Sequence, residues 1–287
     1  MNIGLVGLGK WATKIIASIP NTHRLSAVLT QRTDAKDFLA NDVVITKTYK
    51  DFFSYKFDCI IIANEASKHQ STLFEVRSRM PNLPVFIEKP FAKNLDEIHR
   101  YQAFFSSDKS TFVNHTLLFN KNLELIKHKI ASGLSLPKKI YCADCNLGPY
   151  RNDCNSFWDY GSHPISIILY LCEQDKLEDL NVRVIEATRS QTSYGELTFF
   201  KLSINNITEV ICTVGNGFPV KVRKYCIETE KELLEFDGAE EVEPKPLAAA
   251  LEYFFKFENT KDRSGIGLAT KVVEILSSIE NFITIKS

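Results

Sequence analysis

The 287-residue sequence has no surplus of either charge, because 35 Lys and Arg residues balance 35 Asp and Glu residues. A protein that binds nucleic acid through its overall charge needs a basic surplus, so a nucleic-acid partner is not expected, although a local basic patch stays open. Hydrophobic residues make up 44% of the chain and charged residues 24%, which is typical of a soluble globular protein. The length predicts one large or two ordinary domains.

Long apolar runs and a regular cysteine pattern are also missing. No stretch approaches the ~20 apolar residues of a membrane span, and the residues after Met1 lack the basic, apolar and cleavage segments of a secretory signal. The seven cysteines are odd in number and scattered, which does not favour a disulfide framework. These features predict no membrane partner and a location in the reducing cytoplasm.

Short apolar runs and helical stretches alternate from Met1 to about Val113. Strands are predicted at Ile3–Val6, Leu25–Leu29, Cys59–Ala63, Val85–Ile87 and Thr111–Val113, and helices at Trp11–Ile19, His69–Arg79 and Leu95–Phe105. The third of these strands has no polar face, as a central parallel strand requires. Strands that alternate with helices predict βαβ units and a parallel sheet over residues 1–115.

The pattern changes in residues 116–287. Helices are predicted at Asn120–Ser132 and Pro164–Cys172, and then five strands follow one another at Val182–Thr188, Glu196–Ile204, Ile207–Val214, Pro219–Glu228 and Lys231–Phe236. Asn205 and Asn206 occupy the place of a tight hairpin turn. Closing helices are predicted at Leu247–Phe257 and Ile266–Ile283. We expect a second α/β domain with a mostly antiparallel, open sheet.

A glycine-rich turn, "GLGKWA", follows the first strand and opens the first helix. Gly7 permits a tight turn, Gly9 lets the backbone approach a pyrophosphate, and Ala12 allows close packing of helix on strand. The start of the helix at Lys10 and Trp11 offers free N–H groups to the anion. In this context the turn matches the dinucleotide-binding fingerprint, so we assign residues 1–115 to a Rossmann-type NAD(P)-binding domain.

The end of the second strand bears on the choice of cofactor. NAD-specific folds place an acid there for the ribose 2′-hydroxyl, whereas a nearby Arg suits the 2′-phosphate of NADP. Here no acid appears before Asp34, while Thr30 can hydrogen-bond a phosphate and Arg32 can pair with it or stack on adenine. NADP is therefore favoured, and NAD remains the alternative.

Two further motifs stand in order along the chain. "IEKPF" ends a strand at residues 87–91, and "WDYGSH" leads into an apolar helix at residues 158–163. Together with the glycine turn, they resemble the Gfo/Idh/MocA oxidoreductases, the glucose-fructose oxidoreductase and inositol dehydrogenase family. The resemblance covers essentially the whole chain. It implies nicotinamide-dependent hydride transfer at a sugar or polyol carbon, and assembly into a homodimer or homotetramer through the second sheet.

The resemblance also implies site residues. The family's catalytic lysine, aspartate and histidine fall on Lys89, Asp159 and His163. Its cofactor-lining loop matches residues 64–69, and the cofactor-binding residues implied outside the turn are Asn64, His69, Glu88 and Lys89. Many members carry an acid three residues after the histidine, where this chain has Ser166, so its substrate is expected to differ.

The residue types suit these roles. Imidazole titrates near neutrality, so His163 can take up or return a hydroxyl proton. An ammonium group at Lys89 can stabilise negative charge on the reacting oxygen. Asp159 can bind a substrate hydroxyl or raise the basicity of the histidine. Each residue also has a purely structural explanation, which for Asp159 is a helix cap.

Three other residues are candidate substrate contacts. They are His115 after a strand, and Tyr150 and Arg151 in a polar loop. The alternative is a structural role for His115, and a solvated loop is favoured over substrate contact for Tyr150 and Arg151. Cys142 and Cys145 have the spacing of a metal-binding pair, but on a strand they point to opposite faces, so we expect no metal site.

We therefore predict an NAD(P)-dependent oxidoreductase that acts on a sugar, keto-sugar or nucleotide-linked sugar. Two alternatives stay open: a biliverdin-reductase-like enzyme, and a non-catalytic NAD(P)-binding sensor or regulator on the same fold. The sequence identifies neither the carbohydrate nor the direction of the reaction.

Overall fold

The structure is a computed structural model that describes residues 1–105, 108–133, 136–148, 152–173, 177–256 and 264–286. Two sheets dominate it, a six-stranded one formed by the first 114 residues and a seven-stranded one formed by the rest. Within the described residues, no helix has both the length and the apolar character needed to cross a membrane.

The first sheet is parallel throughout. Its strands are β1 (Asn2–Val6), β2 (Arg24–Leu29), β3 (Val44–Thr46), β4 (Cys59–Ile62), β5 (Val85–Glu88) and β6 (Thr111–Asn114), and they lie in the order β3-β2-β1-β4-β5-β6. Helices α1 (Lys10–Ser18), α2 (Tyr49–Phe52), α3 (His69–Arg79) and α4 (Leu95–Phe105) connect them. The strand order reverses between β1 and β4, and in open α/β sheets ligands bind at that point, beyond the carboxyl ends of the strands.

Burial explains the central strands of this sheet. All four residues of β4 and of β5 are buried, which matches their unbroken apolar or nearly apolar sequence. The short strand β3 and helix α2 have no equivalent in the sequence prediction. Three residues are too few to show the period of a strand, and β3 forms because it pairs with β2 at the sheet edge.

The second part begins with α5 (Lys121–Ala131), β7 (Lys139–Leu147) and α6 (Ser156–Cys172). It continues with β8 (Val182–Thr192), β9 (Gly195–Ile204), β10 (Thr208–Gly215), β11 (Gly217–Glu228) and β12 (Leu233–Asp237), and ends with α7 (Pro246–Lys256), α8 (Ile266–Phe282) and β13 (Ile283–Lys286). The sheet order is β12-β11-β7-β10-β9-β8-β13. Helix α6 packs on β7, β9 and β10, so one face of the sheet is covered.

The predicted fold class is confirmed: a parallel sheet comes first and a mostly antiparallel sheet follows. Asn205 and Asn206 both have positive φ, 52° and 55°, as the tight turn between β9 and β10 demands. The predicted end of α8 was wrong, because the helix stops at Phe282 and the next four residues pair with β8 as an edge strand. The predicted end of α7 at Phe257 lies outside the described residues.

A buried ion cluster holds the first sheet to its helices. The Arg77 guanidinium of α3 is fully buried and donates to Asp108 Oδ2 at 2.8 Å, to the Leu83 carbonyl at 2.6 Å and to Thr111 Oγ1 at 2.5 Å. Tyr101 of α4 also donates to Asp108. A buried charge is costly unless it is paired and hydrogen-bonded, so this cluster ties α3 and α4 to the start of β6.

Candidate functional site

The two glycines of the turn after β1 differ: the backbone requires a glycine at Gly7, whereas Gly9 faces open space. Gly7 has a φ of +97°, and a Cβ there would lie 2.6 Å from the backbone N and Cα of Asn64. A Cβ on Gly9 would meet nothing within 4 Å. Gly9 precedes α1 without any side-chain cap, and the first turn of α1 carries no acid. The free N–H groups of this helix start therefore face open space, an arrangement that fits a pyrophosphate.

The neighbouring residues divide between packing and exposure. Ala12 is fully buried, as close helix–strand packing requires, whereas Lys10 and Trp11 are exposed. Trp11 also hydrogen-bonds through its side chain to Glu88 at the end of β5. The start of α1 is thus joined directly to the end of β5, the strand that precedes Lys89.

The loop after β2 holds its positive charge in an ion pair. Arg32 donates to Asp34 Oδ1 at 2.5 Å and to Oδ2 at 2.9 Å, and it stacks 3.9 Å from the ring centre of Phe38. Thr30 is buried and its hydroxyl accepts a bond from the Arg32 amide. Arg32 therefore follows β2, where the 2′-phosphate of NADP was expected to bind. Its guanidinium is already paired with Asp34, however, and the Asp34 carboxylate can itself accept a ribose hydroxyl.

The loop after β4 is fixed from behind by a buried histidine. His69 Nδ1 lies 2.8 Å from the Pro90 carbonyl, and Nε2 lies 3.2 Å from the Asn64 carbonyl. The Asn64 side chain donates to Thr72, while its Oδ1 has no hydrogen-bond partner within the described residues. His69 thus holds the loop against the segment after Lys89. Asn64 is half-buried and therefore more accessible to a ligand than the buried His69.

Lys89 and Asp159 meet across the two halves of the molecule. Lys89 Nζ lies 2.6 Å from Asp159 Oδ1 and 2.7 Å from the Asp159 backbone carbonyl. Both side chains are mostly buried, with 14% and 17% of their surface exposed. Residues that are 70 positions apart in sequence are therefore brought into one ion pair.

Helix α6 begins earlier than the sequence predicts. Asn155 caps it by accepting from the Trp158 amide at 2.8 Å, so "WDYGSH" is itself helical and Pro164 lies inside the helix. The predicted start at Pro164 was wrong. Proline is common in a first helical turn, but the cap at Asn155, nine residues upstream, decides the start. Asp159 lies in the first turn and does not cap the helix.

His163 lies one turn after Asp159 and lines the same cavity as Lys89. Its Nδ1 is fully buried and has no hydrogen-bond partner within the described residues, so Nε2 is the ring nitrogen that can meet a ligand. Burial, followed by the charges of Lys89 and Arg223, holds the pKa of His163 well below its usual range. The imidazole is therefore neutral near pH 7 and able to accept a proton.

The cavity has a volume of about 150 Å3 and an almost wholly polar lining, formed by Lys89, Asp144, Cys145, Asn146, Asp159, Tyr160, His163, Lys221 and Arg223. Sequence reasoning missed five of these residues: Asp144, Asn146, Tyr160, Lys221 and Arg223. One signal was available, because an acid at Asp144 interrupts the buried face of the strand that begins at Lys139. Burial raises the pKa of Asp144 to about 6, although Arg223 opposes the shift.

A second buried acid lies behind the cavity. Glu88 Oε1 accepts from Asn114 Nδ2 at 2.7 Å, and burial raises the pKa of Glu88 to about 7 although these hydrogen bonds oppose it. Glu88 links the ends of β5 and β6 to Trp11. These contacts fix the end of β5 directly before Lys89.

The remaining candidates fall in different places. His115 is buried, neither ring nitrogen has a hydrogen-bond partner within the described residues, and burial lowers its pKa to about 3. Tyr150 and Arg151 lie outside the described residues. Ser166 is buried and donates to the His163 carbonyl at 2.8 Å, so it turns back onto its own helix.

Cys142 and Cys145 lie on β7, three residues apart, and so point to opposite faces of the strand, as predicted. Over the ranges that the structure describes, no group of three or more His, Cys, Asp or Glu residues has the geometry of a metal site.

The geometry can be compared with known proteins. No curated protein matches the chain in sequence. The model of the oxidoreductase family GFO_IDH_MocA, with an NAD-binding Rossmann fold, matches residues 1–115. This stretch contains the glycine turn, the loop at Asn64, and Lys89.

Solved structures share the fold of the whole chain. An oxidoreductase from Magnetospirillum magnetotacticum is 20% identical with a TM-score of 0.79, over 97% of this chain and 99% of that one. Myo-inositol dehydrogenase from Lactobacillus casei, solved with NAD(H) and myo-inositol, is 14% identical with a TM-score of 0.80, over 98% and 94%. A 3-ketoreductase from Actinomadura kijaniata, solved with TDP-benzene and NADP, is 12% identical with a TM-score of 0.76, over 99% and 98%.

These matches agree with the motifs and with the topology. The first sheet has the strand order and the glycine turn of a dinucleotide-binding domain, and the second sheet follows it as in the solved structures. Residues 1–115 thus match the Gfo/Idh/MocA oxidoreductases, with their NAD-binding Rossmann fold, in sequence, and the whole chain shares the fold of the solved structures.

Proposed function

We propose that the protein transfers a hydride between a nicotinamide cofactor and a hydroxyl-bearing carbon of a carbohydrate. The observation that carries this proposal is the meeting of Lys89, Asp159 and His163 in one polar cavity. The cavity lies at the carboxyl end of β5, and β5 is separated from β1, which leads into the glycine turn, only by β4. The three residues therefore stand where the fold places its ligands.

The glycine turn, the start of α1 and the loop at Asn64 would hold the cofactor. The open space at Gly9 and the uncapped helix start fit its pyrophosphate. When bound, a nicotinamide cofactor supplies or accepts the hydride. The chain must then manage the proton and the charge on the substrate oxygen.

His163 and Lys89 supply those two functions. A neutral His163 accepts the hydroxyl proton through Nε2 when an alcohol is oxidised, and the protonated ring returns it in the reverse direction. The Lys89 ammonium is fixed by Asp159 and stabilises negative charge on the same oxygen. Asp159 orients Lys89 and is placed to bind a neighbouring hydroxyl.

The lining of the cavity favours a carbohydrate over the alternatives. Amide, carboxylate, ammonium and guanidinium groups surround the space, and these groups can hydrogen-bond several hydroxyls at once. A tetrapyrrole, the substrate of a biliverdin-reductase-like enzyme, presents a large conjugated surface, which would leave most of these polar groups without partners. A non-catalytic sensor would not need a neutral histidine beside a fixed lysine.

The protein is also proposed to bind NADP in preference to NAD, in the cytoplasm. Thr30 and Arg32 lie at the end of β2, where the 2′-phosphate of NADP would be bound. None of the seven cysteines, all within the described residues, forms a disulfide, which is consistent with a reducing compartment.

The open face of the second sheet supports a homodimer. Apolar side chains line it, including Tyr141 and Leu233, which are 39% and 58% exposed, and a concavity of about 430 Å3 crosses it. Charges of both signs, such as Lys224 and Glu235, border the concavity. A face of this kind can pair with its own copy about a twofold axis.

The first prediction separates the two glycines of the turn. Gly7→Ala should lower the free energy of unfolding by about 1–3 kcal/mol, because a Cβ would collide with the Asn64 backbone at a positive φ. Gly9→Ala should leave stability unchanged but weaken NADPH binding, since its Cβ would occupy the space kept for the pyrophosphate. Urea unfolding and fluorescence titration measure the two effects. Unweakened NADPH binding by Gly9→Ala would remove the nucleotide from this turn.

The second prediction concerns catalysis. Lys89→Ala and His163→Ala should each lower kcat by about 100-fold or more, because each removes a charge or proton function, while NADPH binding stays measurable. The change in nicotinamide absorbance across a panel of sugars measures turnover. His128→Ala, an exposed histidine on α5, is the matched control.

A pH profile adds a readout that misfolding would not produce. The pKa of His163 is lowered in the folded protein, so the base stays deprotonated as the pH falls through 6.5. Alcohol oxidation should therefore lose no activity to protonation of His163 until the pH is well below 6.5. Normal turnover by both alanine variants would reject these roles, and nucleotide binding without turnover of any sugar would favour a sensor.

The third prediction concerns the choice of nucleotide. Arg32→Ala should weaken NADPH binding about tenfold and leave NADH binding unchanged, because only NADPH carries the phosphate that the guanidinium would bind. Asp34→Ala should tighten NADPH binding, since it frees Arg32 from its ion pair. Fluorescence titration of both nucleotides measures the effect. Equal losses for the two nucleotides would show that Arg32 does not read the 2′ position.

The fourth prediction concerns assembly. Light scattering should give at least twice the 32.7 kDa mass of one chain. Phe199→Glu should shift the protein to monomer, because Phe199 lies on the outer face of β9, between Thr188 and Thr213 of the neighbouring strands. Phe104→Glu, at a residue that is 67% exposed on α4, should have no effect. A wild-type monomer would contradict the proposal.

A further inference from the structure

The cavity carries more positive than negative charge. Three cations, Lys89, Lys221 and Arg223, line it together with two carboxylates, Asp144 and Asp159. Lys89 is paired with Asp159, and Arg223 Nε lies 2.9 Å from Asp144 Oδ2. After these two pairs, the charge of Lys221 is left over.

Lys221 has no partner among the described residues. It is exposed, and it makes no ion pair or side-chain hydrogen bond to any described residue. Its position results from a bulge in β11. Gly217 pairs with Leu147 and Val222 pairs with Cys145, so residues 218–221 stand opposite Asn146 alone. Bulges of this kind redirect side chains, and here Lys221 joins the cavity lining.

Arg223 is also only partly satisfied. Its Nε is fully buried beside Asp144 and makes no well-aligned hydrogen bond, while Nη1 and Nη2 have no acceptor within the described residues. The side chain keeps 19% of its surface exposed and lines the cavity. The planar end of a guanidinium with free N–H donors matches the two oxygens of a carboxylate or phosphate.

We propose that Lys221 and Arg223 bind an anionic group, a carboxylate or a phosphate, on the carbohydrate that enters this cavity. This inference rests on the proposed function, because it assigns the substrate class of the same site. The anion neutralises the leftover charge and takes up the free donors, while Lys89 and His163 act at the reacting carbon. A neutral sugar leaves the charge of Lys221 uncompensated and Arg223 with Asp144 as its sole ion-pair partner among the described residues.

The test compares matched neutral and anionic sugars on the NADPH-loaded protein. The probes are glucose with glucuronate and glucose 6-phosphate, and N-acetylglucosamine with its UDP-linked form, with calorimetry as the measurement. At least one anionic member should bind about tenfold more tightly than its neutral parent, as one charge-assisted contact provides. Glucuronate identifies a carboxylate, and the phosphorylated probes identify a phosphate.

Three variants assign that preference to residues. Lys221→Gln should abolish it, and Arg223→Lys should reduce it, because lysine keeps the charge beside Asp144 but loses the planar pair of donors. Lys56→Gln is the matched control: Lys56 is exposed and lies just before β4, at the amino ends of the strands, whereas the cavity lies at their carboxyl ends. NADPH affinity should be the same in all of these proteins.

Each other outcome overturns a defined part of the proposal. Equal binding of neutral and anionic sugars, or a preference that survives Lys221→Gln, contradicts the anion site and leaves the proposed function standing. Weaker NADPH binding by Lys221→Gln would assign the charge to the cofactor and also contradicts the site. Binding of NADPH without any of the sugars contradicts both the site and the carbohydrate function.

Discussion

The ion pair between Lys89 and Asp159 is the contact on which the candidate site depends. Lys89 directly follows a strand of the first sheet, and Asp159 lies on the helix that covers the second sheet. Two charges that are largely withdrawn from water are costly unless they meet in good geometry, and Lys89 adds a second bond to the Asp159 carbonyl. The contact therefore fixes the lysine and sets α6, with His163 one turn further along, against the first domain.

The rest of the site follows from that placement. A buried histidine beside a lysine and an arginine loses its affinity for a proton, so the same contacts that close the cavity also keep the His163 ring neutral. Glu88 and His69 act from behind: one holds the end of β5 to Trp11, and the other holds the loop at Asn64 to the Pro90 carbonyl. These supports keep Lys89 and the glycine turn in fixed positions relative to each other.

Much of this could be read from the sequence, and the omissions have physical reasons. The glycine turn and the apolar run at Cys59–Ile62 are local signals, so β1, α1 and β4 were predictable. Asp144, Lys221 and Arg223 were not, because strand pairing across β7 and β11 and a bulge bring them together. Pro164 suggested a helix start, yet the cap at Asn155 decided it, and β13 exists only because β8 offers a free edge.

The bulge in β11 separates one segment of the cavity lining from the pairing of the second sheet. The ladder on either side of it, from Arg223 opposite Asp144 to Gly217 opposite Leu147, is anchored independently of the residues in between. Residues can therefore be gained or lost within 218–221 without shifting the register of the sheet, since a side chain changes face only when the pairing itself slips. A segment that lines the cavity can thus change in length while Lys89, Asp159 and His163 keep their positions.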